Sequence, residues 1–241
     1  MSSTYKTPSF TIESKDKLNV AYDGYTLLST MLISAGDTRF GDTSGNYTKF
    51  DMNGFQTMHG NATVFKDCIS DALSLQQTGP GLATNSLSGT IDFANNSNLS
   101  DFLFTNVQLN HDRRILGTVH PHIHWIQNQN NIPNLLLQYR WHINGGQIDA
   151  ARHNLSCTNL IFPYISGSMH QICGTLDELT TPVGSNISDI IQLKIYRDNA
   201  NTSNIFVSAD PYVGNVSLLS VDIHYEIDTI GSNEEHSKMG V

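Results

Sequence analysis

The sequence predicts an all-β protein: an antiparallel β-sandwich or jelly-roll-like domain with an extended N-terminal arm. Only 15% of the 241 residues are charged, and Asn, Ser, Thr, Gln and Gly supply most of the remaining polar residues. That composition is typical of strands and loops. Several segments alternate apolar and polar residues with a period of two, and no helical segments alternate with them. Together these observations favour packed antiparallel sheets.

Three segments alternate most clearly, at residues 119–126, 135–143 and 217–228. In each, apolar residues fall on one face of a strand and polar residues on the other. The apolar sets are Val119, Pro121, Ile123 and Trp125; Leu135, Leu137, Tyr139, Trp141 and Ile143; and Leu219, Val221, Ile223, Tyr225 and Ile227. We expect them to form the core. Pro121 lacks a backbone N–H, so its strand should lie at an edge or a bulge, at least locally.

The domain prediction divides the chain into three parts. Residues 1–50 are rich in Gly, Asp, Ser and Thr and predict an arm that attaches to a partner, with a short helix near residues 25–34. An irregular N-terminal layer of the same domain is the alternative. Residues 51–230 form the predicted β-sandwich, in which residues 55–58 and 62–65 pair as a hairpin around His59, Gly60 and Asn61. Residues 231–241 form a polar tail.

Charge and hydropathy exclude several classes of function. The net charge is −9, and clustered Lys and Arg are lacking, which argues against nucleic-acid binding. No apolar run approaches the roughly 20 residues of a membrane span, and the N-terminus lacks the apolar core of a signal peptide. We therefore expect synthesis in a reducing cytoplasm. Cys68, Cys157 and Cys173 are then expected to be free, buried thiols.

Three sequence blocks carry a resemblance to a known family. They are Met58-His59-Gly60-Asn61-Ala62-Thr63-Val64-Phe65-Lys66-Asp67, then His120-Pro121-His122-Ile123-His124-Trp125, then Asp222-Ile223-His224-Tyr225-Glu226-Ile227-Asp228. In this order they resemble structural proteins of tailed-phage and prophage virions. The central block is the specific one. The first 50 residues lie outside the resemblance.

This resemblance implies a β-rich virion component of the fibre, decoration or collar type. Its role would be that of an accessory protein of the head fibre, the capsid surface or the portal or tail vertex. It would associate with itself, as a trimer or another cyclic oligomer, and with capsid, portal or tail proteins. The implied location is the virion, after synthesis in the bacterial cytoplasm. The family supplies no catalytic residues, and we expect no enzymatic activity and no required cofactor.

His120, His122 and His124 lie on one face of the strand predicted at 119–126, each about 6.5–7 Å from the next. His-x-His on a strand can direct two imidazoles to one transition metal, so these three residues are the candidate metal ligands. The simpler interpretation is a hydrogen-bonded ladder or a subunit interface. The residues assigned to that role are His120, His122, His124, Trp125, Arg140 and His224, with His142 and Glu226 as further ladder partners.

Two other functions stay open at this point. The chain is alternatively a receptor- or carbohydrate-binding module of a host-adhesion device, with Tyr212 in a predicted loop as its candidate ligand-binding residue. Trp125 and Trp141 fall on apolar strand faces and are expected in the core instead. The third reading, a metal-dependent hydrolase, needs a carboxylate beside the histidines. Asp112, Asp222 and Glu226 are the candidates.

Overall fold

The computed structural model describes residues 30–34, 37–41, 45–51, 55–146, 152–173 and 176–230. These residues form fifteen strands, and the strand pairs are antiparallel. The described residues form two compact units, one up to residue 64 together with 228–230, and one over 65–227. The N-terminal 29 residues and the predicted polar tail at 231–241 lie outside the described residues. Neither of the two short 3-10 helices in the described part, Gly60–Ala62 and Ala72–Ser74, could cross a membrane.

The first unit is a four-stranded antiparallel meander. Its strands are β1 (Thr30–Ser34), β2 (Asp37–Gly41), β3 (Tyr47–Asp51) and β4 (Gln56–His59), paired in chain order. The helix expected near 25–34 is therefore wrong over 30–34, where the backbone pairs with β2 instead. Thr30 and Ile33 are β-branched, and such residues favour an extended backbone. The role of the first 50 residues in attachment stays a prediction.

The second unit contains two sheets. The strands of the first sheet are β5 (Val64–Asp71), β7 (Leu82–Asn85), β8 (Thr90–Phe93), β10 (Val119–Gln127), β13 (Met169–Ile172) and β15 (Val216–Ile227). Those of the second are β6 (Gln76–Thr78), β9 (Phe102–Gln108), β11 (Leu135–His142), β12 (His153–Ser156) and β14 (Ile190–Arg197). The first sheet has the order β13-β10-β15-β8-β7, and β5 also pairs with β15. The second sheet has the order β12-β11-β14-β9-β6.

The eight strands from β8 to β15 have the strand order of a jelly roll. One sheet contains β8-β15-β10-β13 and the other β9-β14-β11-β12, so the chain crosses repeatedly between the sheets. The predicted fold class is confirmed. β4 and β5 belong to different sheets, so the hairpin expected around Gly60 does not form, although both of its strands do.

The core lies between the two sheets, where their inward side chains form one buried cluster. Trp125 and Trp141 are 0% and 1% exposed, which confirms their predicted place in the core. Burial of each such side chain contributes about 2–3 kcal/mol. The predicted apolar faces of β10 and β11 are buried as expected. On β15, Leu218 replaces Leu219 in the core.

A β-bulge causes that exchange. Between β10 and β15, His124 pairs with Ser220 but Trp125 pairs with Leu218, so Leu219 is the extra residue. An inserted residue reverses the inward and outward sides of the strand beyond it. Among the described residues, Pro121 pairs with Ile223 of β15, and β13 pairs with β10 at residues 124–127, beyond Pro121. An edge position for Pro121 stays a prediction.

Cys157 and Cys173 form a disulfide, with their Cα atoms 5.5 Å apart. The expectation of three free thiols is thus wrong for these two residues and holds for Cys68, which is half-buried. Cys157 follows β12 in one sheet and Cys173 follows β13 in the other. The bond therefore links the two sheets at the side where β12 and β13 form their edges. Both cysteines are 2% exposed, and the sequence contains no spacing motif that would mark the pair.

Candidate functional site

Histidines collect on the outer face of the first sheet. The register of β10 against β15 pairs His120 with His224, His122 with Asp222 and His124 with Ser220. Alternation along both strands directs these side chains away from the core. β13 adds His170, which pairs with Ile126 on the other side of β10. We call this set of six side chains the imidazole face: His120, His122, His124, His170, Asp222 and His224.

Asp222 lies at the centre of the imidazole face. Its side chain is 7% exposed, and its two carboxylate oxygens face different histidines. Oδ1 is 3.1 Å from Nε2 of His124, and Oδ2 is 3.6 Å from Nδ1 of His122. The other ring nitrogen of His124, Nδ1, is 2.8 Å from Nε2 of His170. Asp222, His124 and His170 therefore form a continuous hydrogen-bonded chain across three adjacent strands.

The electrostatics favour a charged Asp222 at one end of this hydrogen-bonded series and a neutral His170 at the other. Burial alone would raise the pKa of Asp222, but the hydrogen bonds from His122 and His124 outweigh it and hold the pKa at about 2. The bond to Asp222 also raises the pKa of His122 above its ordinary value. Burial and the neighbouring His124 lower the pKa of His170. Because Asp222 is ionised at neutral pH, the ring nitrogens facing it carry protons and donate to it.

The edge of the imidazole face is formed by β5. Asp67 lies 3.6 Å from Nε2 of His224. The Phe65 ring contacts two imidazoles, with its centroid 4.6 Å from that of His224 and 6.3 Å from that of His120. Phe65 is 48% exposed. The end of the first sequence block, the whole of the second block and residues 222–227 of the third thus lie on three strands of one sheet, β5, β10 and β15.

The residues that the sequence assigns to a metal site or to an interface do not all lie together in the structure. His122, His124 and Asp222 bring their ligand atoms within 4.8 Å of one another, and His120 is not in this group. Trp125 is fully buried on the opposite side of β10, so it stabilises the core and is not available to a partner. Arg140 lies on β11 of the other sheet and is no part of the imidazole face.

In the candidate metal-binding group, Asp222 is the third residue, where the sequence predicted His120. The sequence indicates Asp222 as a candidate carboxylate, but only the pairing of β10 with β15 sets it opposite His122. His170 and Asp67 were not predicted. His170 lies on a four-residue strand whose sequence has little alternation. Asp67 faces His224 only because β5 pairs with β15. Neither has a local signal in the sequence.

The prediction that Tyr212 is free to bind a ligand is wrong. The residue is 1% exposed, and its hydroxyl donates to Oδ1 of Asn128 at 2.7 Å. The backbone N–H of Asn128 donates back to the same hydroxyl at 3.2 Å. The backbone carbonyl of Tyr212 accepts a 2.6 Å hydrogen bond from the buried guanidinium of Arg197. Tyr212 therefore fastens a loop to the sandwich.

An open cleft of about 380 Å³ lies elsewhere on the second unit. It is lined by residues 130–132, 134, 157–158, 205–208 and 211. None of the imidazole face lines it. The histidines and Asp222 therefore lie outside this cleft, on the outer face of the first sheet.

Comparisons with known proteins give remote likenesses. No protein-family model and no curated protein matches the chain. The enzymatically active domain of tailspike protein 4 of bacteriophage CBA120 is 12% identical, with a TM-score of 0.30, over 68% of this chain and 19% of that chain. A carbohydrate-binding module with specific mannan recognition is 10% identical, with a TM-score of 0.31, over 68% of this chain and 98% of that chain. A structure of infectious bursal disease virus is 11% identical, with a TM-score of 0.21, over 92% of this chain and 62% of that chain. These likenesses establish neither an activity nor a partner.

Proposed function

We propose that the chain is a non-catalytic structural subunit of a tailed-phage virion. It would serve as an accessory protein of the head fibre, the capsid surface or the portal or tail vertex. The observation that carries this proposal is the meeting of the three sequence blocks. Residues 65–67, 120–125 and 222–227 are far apart in the chain but lie on the adjacent strands β5, β10 and β15. The outward-facing residues of these segments share one face of the first sheet, which supports the proposal.

The same surface has the properties of a contact between copies of the chain. Phe65 and Ile69 lie on the same face of β5, with Asp67 between them on that face. Their side chains are 48% and 64% exposed. They adjoin the imidazole face, in which Asp222 and Asp67 carry negative charge beside histidines that can donate to them. A mixed apolar and hydrogen-bonding surface of this kind is typical of subunit interfaces. We therefore propose self-association through β5 and the imidazole face, with a trimer favoured.

Mass measurement in solution tests the proposal. The full chain is expected to form one discrete oligomer by light scattering and native mass spectrometry. The double substitution Phe65→Ser and Ile69→Ser is expected to yield monomers. Leu87→Ser is the control, because Leu87 is also an exposed apolar residue but lies in the turn between β7 and β8. A wild-type chain that stays monomeric and fails to bind purified particles contradicts the proposal.

A second candidate function, carbohydrate binding, is favoured by the outer face of the other sheet. Its outward side chains come from β11, β14 and β9, and we call this set the amide face: Gln138, Arg140, Gln192, Lys194, Phe102, Phe104 and Asn106. No outward strand residue of this face is acidic, although the chain has 22 acidic and 13 basic residues. Burial is the main cause that lowers the pKa of Lys194, and the nearby Arg152 and Arg140 lower it further.

The chemistry of the amide face suits an acidic polysaccharide. Amide groups donate to and accept from sugar hydroxyls, aromatic rings pack on sugar rings, and Arg binds carboxylates. Gln138 is already held in place, because Arg152 donates to its Oε1 at 3.0 Å and the Tyr196 hydroxyl donates to the same oxygen at 3.1 Å. Lys194 lies over the Phe102 ring at 4.3 Å. These contacts pre-organise the face.

Binding to a uronic-acid polymer, with neutral dextran as comparator, tests this candidate. Arg140→Gln and Lys194→Gln together should abolish retention on the acidic polymer. Lys66→Gln removes a similar charge from β5 of the other sheet and should leave retention unchanged. Equal retention of all three proteins would show that the amide face does not bind the polymer, and a loss of retention in Lys66→Gln as well would show that positive charge anywhere on the chain is responsible. No retention of the wild-type chain would contradict this function and leave the structural role unaffected.

A further inference from the structure

The centre of the imidazole face has the donor set of a transition-metal site. His122, His124 and Asp222 contribute two imidazole nitrogens and a carboxylate, and one ligand atom from each lies within 4.8 Å of the others. Imidazole and carboxylate are the ligands that suit zinc and its neighbours in the first transition row. The side chains of Asp222, His124 and His122 are 7%, 16% and 26% exposed, so the group is partly withdrawn from water yet open to an entering ion.

The distances fit a single ion with small movements. Zinc bonds of about 2.0–2.1 Å in a tetrahedron place neighbouring ligand atoms about 3.3 Å apart. Nε2 of His124 lies 3.1 Å from Oδ1 of Asp222, and Nδ1 of His122 lies 3.6 Å from Oδ2. Because separations within the group reach up to 4.8 Å, binding of one ion requires rotation of side chains toward it. The backbone pairing of His122 with Asp222 needs no change.

We propose that His122, His124 and Asp222 bind one divalent first-row transition-metal ion, with zinc as the best match. Nε2 of His124 faces Asp222 and is the metal-binding nitrogen of that ring. Three protein ligands leave a fourth position for water. This inference does not rest on the proposed virion role, and it replaces the three-histidine set expected from sequence.

His170 supports the site as a positioning residue. Its Nε2 is 2.8 Å from Nδ1 of His124, the nitrogen that does not face Asp222. A metal-bound imidazole usually donates its other N–H to a fixed acceptor, which orients the ring. His170 supplies that acceptor from the neighbouring strand.

Metal binding by the full chain tests the proposal. Chelator-treated protein is titrated with zinc chloride against a zinc-sensitive dye, and cobalt chloride gives the coordination geometry through its visible absorption. We expect one zinc per chain and a four-coordinate cobalt spectrum. His122→Ala and Asp222→Asn should each weaken zinc binding by more than about 100-fold, and His170→Ala by about 10-fold. The His170 variant should retain the cobalt absorption with an altered maximum.

His120→Ala is the matched control, because His120 lies on the same strand and face but outside the ligand group. It should bind zinc like the wild-type chain, and a loss of binding would overturn the assigned ligand set. His124→Gln serves in place of Asp222→Asn if the latter does not fold, as judged by tryptophan fluorescence. Substoichiometric zinc that no substitution alters would show adventitious binding and overturn the proposal.

Discussion

Reduction of the Cys157–Cys173 disulfide is expected to destabilise the sandwich unit by about 3 kcal/mol. The cysteines are 16 residues apart, and the chain-entropy relation for a loop of that length gives about 3 kcal/mol at 25 °C. Both sulfurs are buried, so the reduced thiols keep most of their packing as small apolar groups. The loss is therefore close to the entropy term. For a unit of this size it corresponds to a fall in Tm of about 6–12 °C.

Tryptophan fluorescence is the suitable assay, because both tryptophans, Trp125 and Trp141, lie in the core of the sandwich. Thermal unfolding is followed with and without a phosphine reductant. The wild-type chain should lose about 6–12 °C on reduction, whereas the double variant Cys157→Ala and Cys173→Ala should start lower and not respond. Cys68→Ala is the control and should respond like the wild-type chain.

Thiol titration of the denatured, non-reduced protein gives an independent measure. One thiol per chain is expected, from Cys68. Three thiols, or a Tm that reductant leaves unchanged, would refute the reasoning. A fall in Tm of similar size in the double cysteine variant on adding reductant would show that the reductant acts elsewhere.

Three further predictions concern the buried polar groups of the sandwich. Arg197 is fully buried, and its Nε lies 2.7 Å from the carboxylate of Asp210. Arg197→Met leaves that carboxylate buried without its cationic partner and should lower the free energy of unfolding in urea by about 3–5 kcal/mol; a loss below about 1 kcal/mol would contradict this. Asp198 accepts hydrogen bonds from residues 202 and 203, which outweigh burial and lower its pKa. Its carboxylate therefore stabilises the fold above the unfolded pKa of about 3.9 and loses this effect as pH falls through the folded value. Asp198→Asn should be less stable than the wild-type chain at pH 6, with the difference narrowing below about pH 4; a constant difference across an acid titration would argue against it. Tyr212→Phe loses the bonds to Asn128 and should cost about 1 kcal/mol without changing retention on acidic polysaccharide.

Strong local alternation made the central strands predictable. The inward sides of β10 and β11 follow from a period of two that each segment carries by itself. The same reasoning fails at Leu219, because the bulge arises from the pairing of β10 with β15 and not from either strand alone. It also misses the N-terminal meander, where five-residue strands are too short to show a period.

The candidate site also has one part that the sequence predicts and one part that it does not. A shared outward face for His120, His122 and His124 follows from alternation along β10, and the structure has it. The choice of Asp222 as their partner depends on a register between residues about 100 positions apart. The contribution of His170 depends on β13, which is four residues long. Such contacts are decided by which strands become neighbours.

By itself, the sequence determined the β class, the inward and outward sides of the long strands and the row of histidines, because these depend on neighbours one or two positions away in the chain. Only the tertiary structure decided the jelly-roll order, the disulfide between the sheets, the burial of Tyr212 and the grouping of His122, His124 and Asp222. These depend on long-range pairing, in which strands distant in sequence adopt the register that buries the most apolar surface.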